Sequence, residues 1–395
     1  MKIAFVGLRG LPAVYGGVDR VVEEISTRLA QCGHSVLVYC WKRPRTRTDR
    51  PKEYRGVELV HLPTFQVRYF GTLIHTFLSC LDIMKRDIDI VHINNIENAP
   101  FALILRLFGK KIVFQPHGPA WPILKWGNLR ERFLINLRIL LSRIYLWLCR
   151  FPAAYLSHKI VVISCADREY LLKGKQDKLC LITNGCIVPP LAEANRMLQL
   201  GLEPQKYVLT VGRIVPRKGF HHLVKAFRCI QADLKLVIVG GPLSKNAYGS
   251  YLMRLAKNDD RIVFLGPIYD ALITEVFSNA LVYVHPSESE GQSVALLEAL
   301  SYGNCVVASD APESVEVAGE HAHYFRSGDY QGLREVLEDL INNDTGICEM
   351  GIGARKYIEK YYKWENRAQE YEQLYMSLLD RQIDRPSAIT VSENT

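Results

Sequence analysis

The 395-residue chain lacks the sequence signals of several protein classes. Its ten cysteines form no CxxC pair and no Cys/His cluster at zinc-ligand spacing, which argues against a disulfide scaffold and a zinc finger. No apolar run reaches the length that spans a bilayer, and the first residues enter a strand-like "KIAFVGL" rather than a signal peptide. We therefore expect a cytoplasmic protein with reduced thiols.

The chain also lacks the common nucleotide-binding fingerprints. Gly7 and Gly10 do not have G-x-G-x-x-G spacing, and no acid ends the next strand, "SVLVYC". No GK[ST] follows "VGRIVPRKGF", which excludes a P-loop. Zinc-finger, RRM and basic-zipper signatures are missing as well, so we expect no nucleic-acid partner.

Charge is divided unevenly along the chain. Residues 1–187 carry 28 Lys and Arg against 14 Asp and Glu, a balance of +14, whereas the remainder carries 21 against 27. A basic half suggests that this part of the molecule meets something anionic. An acidic membrane leaflet or a phosphorylated lipid fits this charge.

Short apolar strands alternate with helix-length segments almost throughout. The first series runs from "KIAFVG" to "LCLITN" and the second from "YVLTVGR" to "CVVAS". Continuous apolar strands separated by helices indicate parallel sheets covered on both faces. The predicted fold class is α/β, with two doubly wound Rossmann-like domains. Their predicted organisation is residues 1–187, a linker at 188–206, a second domain at 207–363, a C-terminal helix at 364–384 and a tail at 385–395.

Two loops at predicted strand ends carry residues suited to anions. In "GLRGLPAVYGGVDRVVEEIS", Gly16 and Gly17 directly precede a helix, whose amides and dipole favour an anion. In "VGRIVPRKGF", Arg213 and Lys218 flank a helix start and suit a diphosphate. The alternatives are an ordinary glycine turn and two solvated cations.

A third loop, "SESEGQSVALLEAL", carries two glutamates. We expect its helix to begin near Gln292 and Ser293, with Glu290 just before it and Glu298 eight residues further on. At roughly 100° per residue, the two carboxylates lie about 80° apart around the helix axis and can border one cleft. The alternative is a capping acid and an ion pair at the edge of the core.

Together, "GGVDRVVEEIS", "VGRIVPRKG", "SESEGQSVALLEALSYGNCVVASD" and "YKWENRAQEYEQLY" resemble the retaining family 4 glycosyltransferases, which have a GT-B fold and a Glu-x7-Glu motif. The N-terminal motif and "HGPAWPILKWG" are similar to the branch that assembles O-antigen or capsule repeats. The resemblance implies a retaining hexosyltransferase that uses a nucleotide-diphosphate sugar. It also implies that the helix near Trp364 packs back on the first domain.

The resemblance also implies roles for individual residues. Glu290 holds the donor sugar, Glu298 holds the ribose, and Arg213 and Lys218 neutralise the leaving diphosphate, while His117 lines the reacting centre. The implied donor-binding residues are Gly16, Gly17, Gly266, Pro267, Ile268, Gly291, Gln292, Ser293, Val294 and Glu298.

Some residues depart from the family pattern. Gln292 and Ser293 replace the usual aromatic or glycine after the Glu-Gly pair, Ala120 stands where related chains often carry Asp, and Asp19 replaces a common Glu. No DxD motif stands at a strand end, so we expect no essential metal and no cofactor. Retaining transfer without a nucleophile instead needs stabilisation of the departing diphosphate.

Two basic segments suggest where the acceptor is bound. Residues 41–55, "WKRPRTRTDRPKEYR", carry seven cations, and residues 129–150 form an apolar, arginine-rich segment of helix length. Such a segment can lie in a membrane interface, or it can pack on the sheet with its arginines outward. The first alternative predicts peripheral binding to the anionic inner face of the cytoplasmic membrane and a glycan acceptor linked to a lipid diphosphate.

Other functions remain open from the sequence. A sugar-nucleotide epimerase or a phosphorylase fits the same fold, although no lysine context for pyridoxal phosphate is present. A dehydrogenase is opposed by the missing dinucleotide fingerprint. A non-catalytic scaffold at the membrane is the remaining alternative.

Overall fold

The computed structural model describes most of the chain. Residues outside the described part are 14–16, 43–50, 65–69, 118–130, 166–174, 242, 244–246, 269–270, 344–346 and 380–395. For residues 70, 131–143 and 176 only the backbone is described.

The first half of the chain forms an eight-stranded sheet. Its strands are β1 (Lys2–Val6), β2 (Ser35–Lys42), β3 (Glu53–Tyr54), β4 (Val57–Pro63), β5 (Ile90–Asn94), β6 (Lys111–Gln115), β7 (Lys159–Val162) and β8 (Leu179–Leu181). Their order is β3-β4-β2-β1-β5-β6-β7-β8, and only the short edge pair β3–β4 is antiparallel.

The second half forms a six-stranded parallel sheet. Its strands are β9 (Tyr207–Val211), β10 (Lys235–Val239), β11 (Ile262–Gly266), β12 (Val282–His285), β13 (Cys305–Ser309) and β14 (His323–Phe325). The strand order is β11-β10-β9-β12-β13-β14. From β9 the chain first adds strands on one side of the sheet, up to β11, and then crosses over to add β12 to β14 on the other side. Loops at such a crossover open a crevice at the carboxyl ends of the strands, where ligands of these folds bind.

Helices cover the faces of both sheets. Those of the first half are α1 (Gly17–Gln31), α2 (Phe70–Ile83), α3 (Ala102–Leu107) and α4 (Glu131–Leu156). Those that follow are α5 (Arg196–Gln199), α6 (Phe220–Cys229), α7 (Ala247–Ala256), α8 (Ala271–Ser278), α9 (Val294–Tyr302), α10 (Pro312–Ala318), α11 (Tyr330–Asn343), α12 (Ile347–Tyr361) and α13 (Trp364–Leu378). Each sheet has a buried apolar cluster on both of its faces.

The predicted fold class is confirmed. The twelve apolar runs read as strands are all strands, because runs rich in Val, Ile and Leu are buried on both faces of parallel sheets. Two edge strands were missed. β3 has only two residues and β14 only three, too few to display a periodic pattern.

The last helix, α13, packs on the first half of the molecule. Trp364, Tyr371 and Tyr375 belong to the same buried cluster as the β1 and α1 side chains. The Tyr371 hydroxyl donates to Gln115 Oε1 (2.9 Å), and the Tyr375 hydroxyl donates to His92 Nδ1 (2.6 Å). The C-terminal helix is therefore part of the core beneath the carboxyl end of the first sheet.

The arginine-rich segment at 129–150 contains the first 20 of the 26 residues of α4. One side of this helix is buried through Cys149, Ala153 and Ala154. In the part of the chain that the structure describes, no helix is both long and apolar enough to cross a bilayer. Most of the other basic segment, residues 43–50, lies outside the described residues.

Removal of the Tyr371 ring tests the contribution of α13 to the first half of the molecule. This ring is 1 % exposed, so we expect Tyr371→Ala to lower the free energy of unfolding by about 3–5 kcal/mol. Tyr361→Ala, at a position that is 50 % exposed, is the control and should change it by less than about 0.5 kcal/mol. Chemical denaturation followed by tryptophan fluorescence measures both. Equal effects would contradict the packing of α13.

Candidate active site

The two sheets each present loops at the carboxyl ends of their central strands. In the second sheet the loops after β9 and β12 lie side by side, because these strands are neighbours. In the first sheet the loops after β1, β5 and β6 share an edge. Most of the residues singled out from the sequence lie on these loops, whereas Glu298 lies on α9 and Gly266, Pro267 and Ile268 lie at the end of β11.

A buried ion pair joins the loops after β9 and β12. Lys218 Nζ lies 2.6 Å from Glu290 Oε1, and both side chains are about one-tenth exposed. Arg217 adds a second contact, 3.3 Å from its guanidinium to Glu290 Oε2. Two of the residues predicted to act together are thus in direct contact.

The charges of this pair are mutually stabilising. Burial alone favours the neutral form of Glu290, but the adjacent Lys218, Arg217 and His285 outweigh it and hold the pKa of the carboxyl below its usual range. Glu290 is therefore a carboxylate at neutral pH. A buried charge without a partner is costly, so each member of the pair depends on the other.

Arg213 lies on the same loop as Lys218, but its side chain has a different environment. Its side chain is exposed to solvent, and no carboxylate of the described residues forms a salt bridge with it. Burial of the inner part of the side chain and the nearby Arg217 lower the pKa of Arg213, while Glu290 opposes this effect. An exposed arginine in a field of like charges is suited to an incoming anion.

A glycine permits the two loops to approach each other. Gly219 has a φ of 66°, and a Cβ at this position would lie 1.8 Å from the Pro286 carbonyl oxygen. Any side chain here would push the two loops apart, and with them Lys218 and Glu290. The "RKG" sequence therefore has a steric function as well as an electrostatic one.

Helix α9 begins one to two residues later than expected, and Glu290 lies just before it, as predicted. The helix begins at Val294, with Ser293 as the N-cap residue, so Glu290 lies in the preceding loop. The 80° separation from Glu298 was therefore wrong, because it assumed helical geometry for Glu290. Gln292 accepts a hydrogen bond at Oε1 from the Asn184 backbone amide, which ties this loop to the end of the first half of the chain. Gly291 is also buried.

Glu298 has a different environment from Glu290. It lies half-buried on α9, and among the described residues its carboxylate has no salt-bridge or hydrogen-bond partner. Burial raises the pKa of Glu298 to about 7, although the positive charge of Arg20 favours the ionised form. The side chain is thus an acceptor without a protein donor, which suits a ligand hydroxyl.

The start of α1, which follows the N-terminal loop, lies close to the start of α9. A Cβ on Gly17, the first residue of α1, would lie 3.7 Å from Val294 Cγ2, the first residue of α9. The starts of two helices therefore face one another, and both helix dipoles favour negative charge between them. Gly16, the other predicted glycine of this loop, lies outside the described residues.

Two acids of α1 hold the N-terminal loop in place. Asp19 Oδ1 accepts the Arg9 backbone amide (3.0 Å), and Glu23 Oε2 accepts the amide of Ala13 (2.6 Å). Both side chains are buried. Asp19, where the family commonly has Glu, is therefore a loop anchor in this protein.

His117 follows β6 and has an unusual backbone. Its φ is 51°, and its Nε2 lies 2.8 Å from Asn94 Oδ1. Asn94 donates its amide to the Val6 carbonyl oxygen, so its Oδ1 must be the acceptor and His117 Nε2 the donor. Burial lowers the pKa of His117 to about 3, which keeps the imidazole neutral. The hydrogen bond of His117 lies within the first sheet and does not reach the Lys218–Glu290 pair.

The residues predicted to hold the base lie at the end of β11. Gly266 has a φ of 70° and open space around its Cα, Pro267 packs near Gly241, and Ile268 contacts a buried cluster. This segment borders the crevice next to the loop that follows β10. Residues 269–270, which come next, are outside the described part.

Sequence reasoning missed two cations of this site. Arg217 is adjacent to Lys218 and contacts Glu290, and Arg20 is the charge that acts on Glu298. Arg20 also bonds Glu24 at 3.1 Å. The position of Arg20 in the first turn of α1, which starts at Gly17, is the sequence feature that could have indicated it.

Comparisons with known proteins agree with this architecture. The family model described as "Glycosyltransferase Family 4" matches residues 15–187, and the one described as "Glycosyl transferases group 1" matches residues 195–364. The capsular polysaccharide biosynthesis glycosyltransferase CapM of Staphylococcus aureus is 25 % identical over 174 residues, 43 % of this chain. The chain covers 45 % of the length of that relative.

Two solved structures have the same fold. Sucrose-phosphate synthase from Thermosynechococcus elongatus has a TM-score of 0.80 at 21 % identity, covering 96 % of this chain and 99 % of that one. The Anabaena protein HepE in complex with UDP-glucose has a TM-score of 0.75 at 18 % identity, covering 95 % and 100 %. The two family models together span most of the chain, so each half carries a glycosyltransferase domain, and the two Rossmann-like domains give the chain a GT-B fold.

The raised pKa of Glu298 predicts a pH dependence of stability. Below its ordinary pKa the carboxyl is neutral in both the folded and unfolded protein. As pH rises toward 7 and above, the unfolded state ionises more readily than the folded one, so the folded protein loses stability. Glu298→Gln should therefore be more stable than wild type at pH 8, with a difference that shrinks toward pH 5.

Thermal unfolding between pH 5 and 8 measures this difference, and the exposed Glu320→Gln is the control. We expect the control to follow the wild type at every pH. A Glu298→Gln variant that is destabilised most at pH 8 would contradict an unpartnered carboxylate at this position.

Proposed function

We propose that the protein transfers a hexose-type sugar from a nucleotide-diphosphate sugar to a glycan acceptor. The observation that carries the proposal is the convergence of Arg213, Lys218 and the starts of α1 and α9 on one crevice between the two sheets. Cations and bare helix amides are the groups that bind a diphosphate. The Anabaena relative was crystallised with UDP-glucose, which is consistent with such a donor.

In this proposal the two glutamates hold different parts of the donor. Glu298 has a carboxylate that lacks a protein donor, so it accepts the ribose hydroxyls. Glu290 is held in place by Lys218 and Arg217 and accepts hydroxyls of the sugar. Gly266, Pro267 and Ile268 hold the base at the end of β11.

We propose that the transfer retains the anomeric configuration and requires no metal or cofactor. Glu290 is a weak nucleophile, because it is paired with two cations. Arg213 and Lys218 can neutralise the departing diphosphate, a function that Mg²⁺ performs in other transferases. Addition of Mg²⁺ or Mn²⁺ should leave turnover unchanged, and NMR of the product should show the anomer of the donor.

The acceptor side is proposed to lie against an anionic membrane. On α4, Ile144, Trp147, Leu148, Phe151 and Tyr155 are between 45 % and 61 % exposed. At roughly 100° per residue they form one apolar stripe along the helix. Leu103 and Leu107 on α3, which packs beside α4, and Phe108 directly after α3 are also exposed.

Two basic side chains lie at the C-terminal end of this stripe. Lys175 lies 5.4 Å from the centre of the Tyr155 ring, and Lys178 donates to the Ala154 and Ser157 carbonyl oxygens at the end of α4. Apolar residues flanked by cations suit the boundary between anionic headgroups and acyl chains. A lipid-diphosphate-linked glycan presented at the inner membrane face is the acceptor that fits this surface, and we propose cell-surface polysaccharide assembly as its context.

Arg213→Ala tests the donor site without removing a structural ion pair. Because no described carboxylate depends on Arg213, the variant should fold normally. Loss of one donor to the leaving diphosphate should reduce kcat by about 10²–10³-fold. Transfer from a panel of UDP-, GDP-, ADP- and dTDP-sugars measures this, with the exposed Arg254→Ala as control. Unchanged turnover in Arg213→Ala would favour the non-catalytic scaffold, and conversion of the donor without transfer would favour an epimerase.

The Trp147→Ala/Phe151→Ala double variant tests the membrane surface. Cosedimentation with vesicles of phosphatidylglycerol and phosphatidylcholine should fall at least tenfold, because each ring contributes about 1.5–3 kcal/mol when buried. The matched control Tyr361→Ala removes an equally exposed ring on α12. Binding of wild type should weaken with salt. A double variant that binds like the wild type would overturn the assignment of this surface.

A further inference from the structure

Two histidines and a glutamate meet behind the Lys218–Glu290 pair. His221 and His222 lie in the first turn of α6, and Glu288 lies in the loop after β12. One ligand-type atom from each residue lies within 4.8 Å of the other two. Among the described residues this is the one cluster of three such groups.

Close contacts join the side chains of this cluster. His222 Nε2 lies 3.0 Å from Glu288 Oε1, and the two imidazole rings lie 3.9 Å apart between their centres. The Nδ1 atom of His222 is buried with no hydrogen-bond partner among the described residues. Two imidazoles and one carboxylate are a ligand set that zinc accepts, with a fourth position left for water.

A hydrogen bond from outside the cluster orients the His221 ring. His221 Nδ1 lies 2.9 Å from the Tyr248 hydroxyl, which also accepts the His221 backbone amide at 3.2 Å. Nε2 is then the nitrogen through which His221 would bind a metal. Metal-binding histidines usually have such a partner on the other ring nitrogen.

The cluster contains one acid, and one cation lies nearby on α6. The Lys225 ammonium lies 5.7 Å from the centre of the Tyr330 ring, an interaction that stabilises its charge. Glu288 supplies the negative charge that a divalent cation needs.

We propose that His221, His222 and Glu288 bind a divalent transition metal of the zinc class. The metal would join α6, which begins directly after Lys218 and Gly219, to the loop that carries Glu290. The Glu288 backbone amide already donates to the Arg217 carbonyl oxygen at 2.8 Å, so the metal would reinforce an existing contact. Its role is structural. It fixes the distance between the two loops and takes no part in the transfer.

Zinc titration of the full-length protein tests the site. After treatment with EDTA and dialysis, isothermal titration calorimetry with ZnCl₂ should show one tight site in the wild type. His222→Ala and Glu288→Gln should each weaken it by at least tenfold, and Tyr248→Phe by about 10–100-fold through loss of the outer contact. His321→Ala, at a histidine outside the cluster, is the control and should bind as the wild type does.

Spectroscopy gives an independent readout. Co²⁺ added to the metal-free protein should produce visible absorption bands that are lost in His222→Ala and retained in His321→Ala. Zinc should raise the unfolding temperature of the wild type and not that of Glu288→Gln. The proposal is overturned if the metal-free wild type shows no tight zinc site, or if His222→Ala and Glu288→Gln bind zinc as tightly as the wild type.

Discussion

The ion pair between Lys218 and Glu290 fixes the relative positions of the two loops that form the second half of the crevice. It is 2.6 Å long and nearly buried, and neither partner is stable in that environment without the other. Gly219 permits the close approach, and Arg217 adds a second positive charge to the carboxylate. The exposed side chain of Arg213 is positioned by the same loop. A change that separated these loops would move every cation proposed to face the diphosphate.

The other side of the crevice depends on a different constraint, the attachment of α13 to the first sheet. Tyr371 and Tyr375 bond Gln115 and His92, which lie beneath His117. Asp19 and Glu23 hold the N-terminal loop so that Gly17 meets Val294. The hydrogen bond from Asn184 to Gln292 connects the two sides directly. Gln292 therefore acts first as a connection between the halves, in addition to any effect on sugar choice.

The fold was predictable because it depends on local patterns of apolar and polar residues. Apolar runs with helices between them specify parallel sheets, and the strand ends show where ligands can bind. The pairing of Lys218 with Glu290 was not predictable, because it depends on β9 and β12 being neighbours although 70 residues separate the strands. For the same reason the contact of Arg217 with Glu290 and the effect of Arg20 on Glu298 were missed. The exposed stripe on α4 could not be separated from a buried face, because apolar residues line both sides of that helix.

The roles proposed for Glu290 and Glu298 follow from a physical difference between them. One is neutralised by protein cations, whereas the other is left with a raised pKa and no protein donor. In the proposed function, diphosphate, ribose and sugar each have a distinct place between the two halves. A crystal structure with a bound nucleotide-diphosphate sugar tests this most directly. The account predicts the diphosphate within hydrogen-bond distance of Arg213 and Lys218, with a ribose hydroxyl on Glu298. A donor bound away from the loops after β9 and β12, or with its ribose on Glu290, would contradict it.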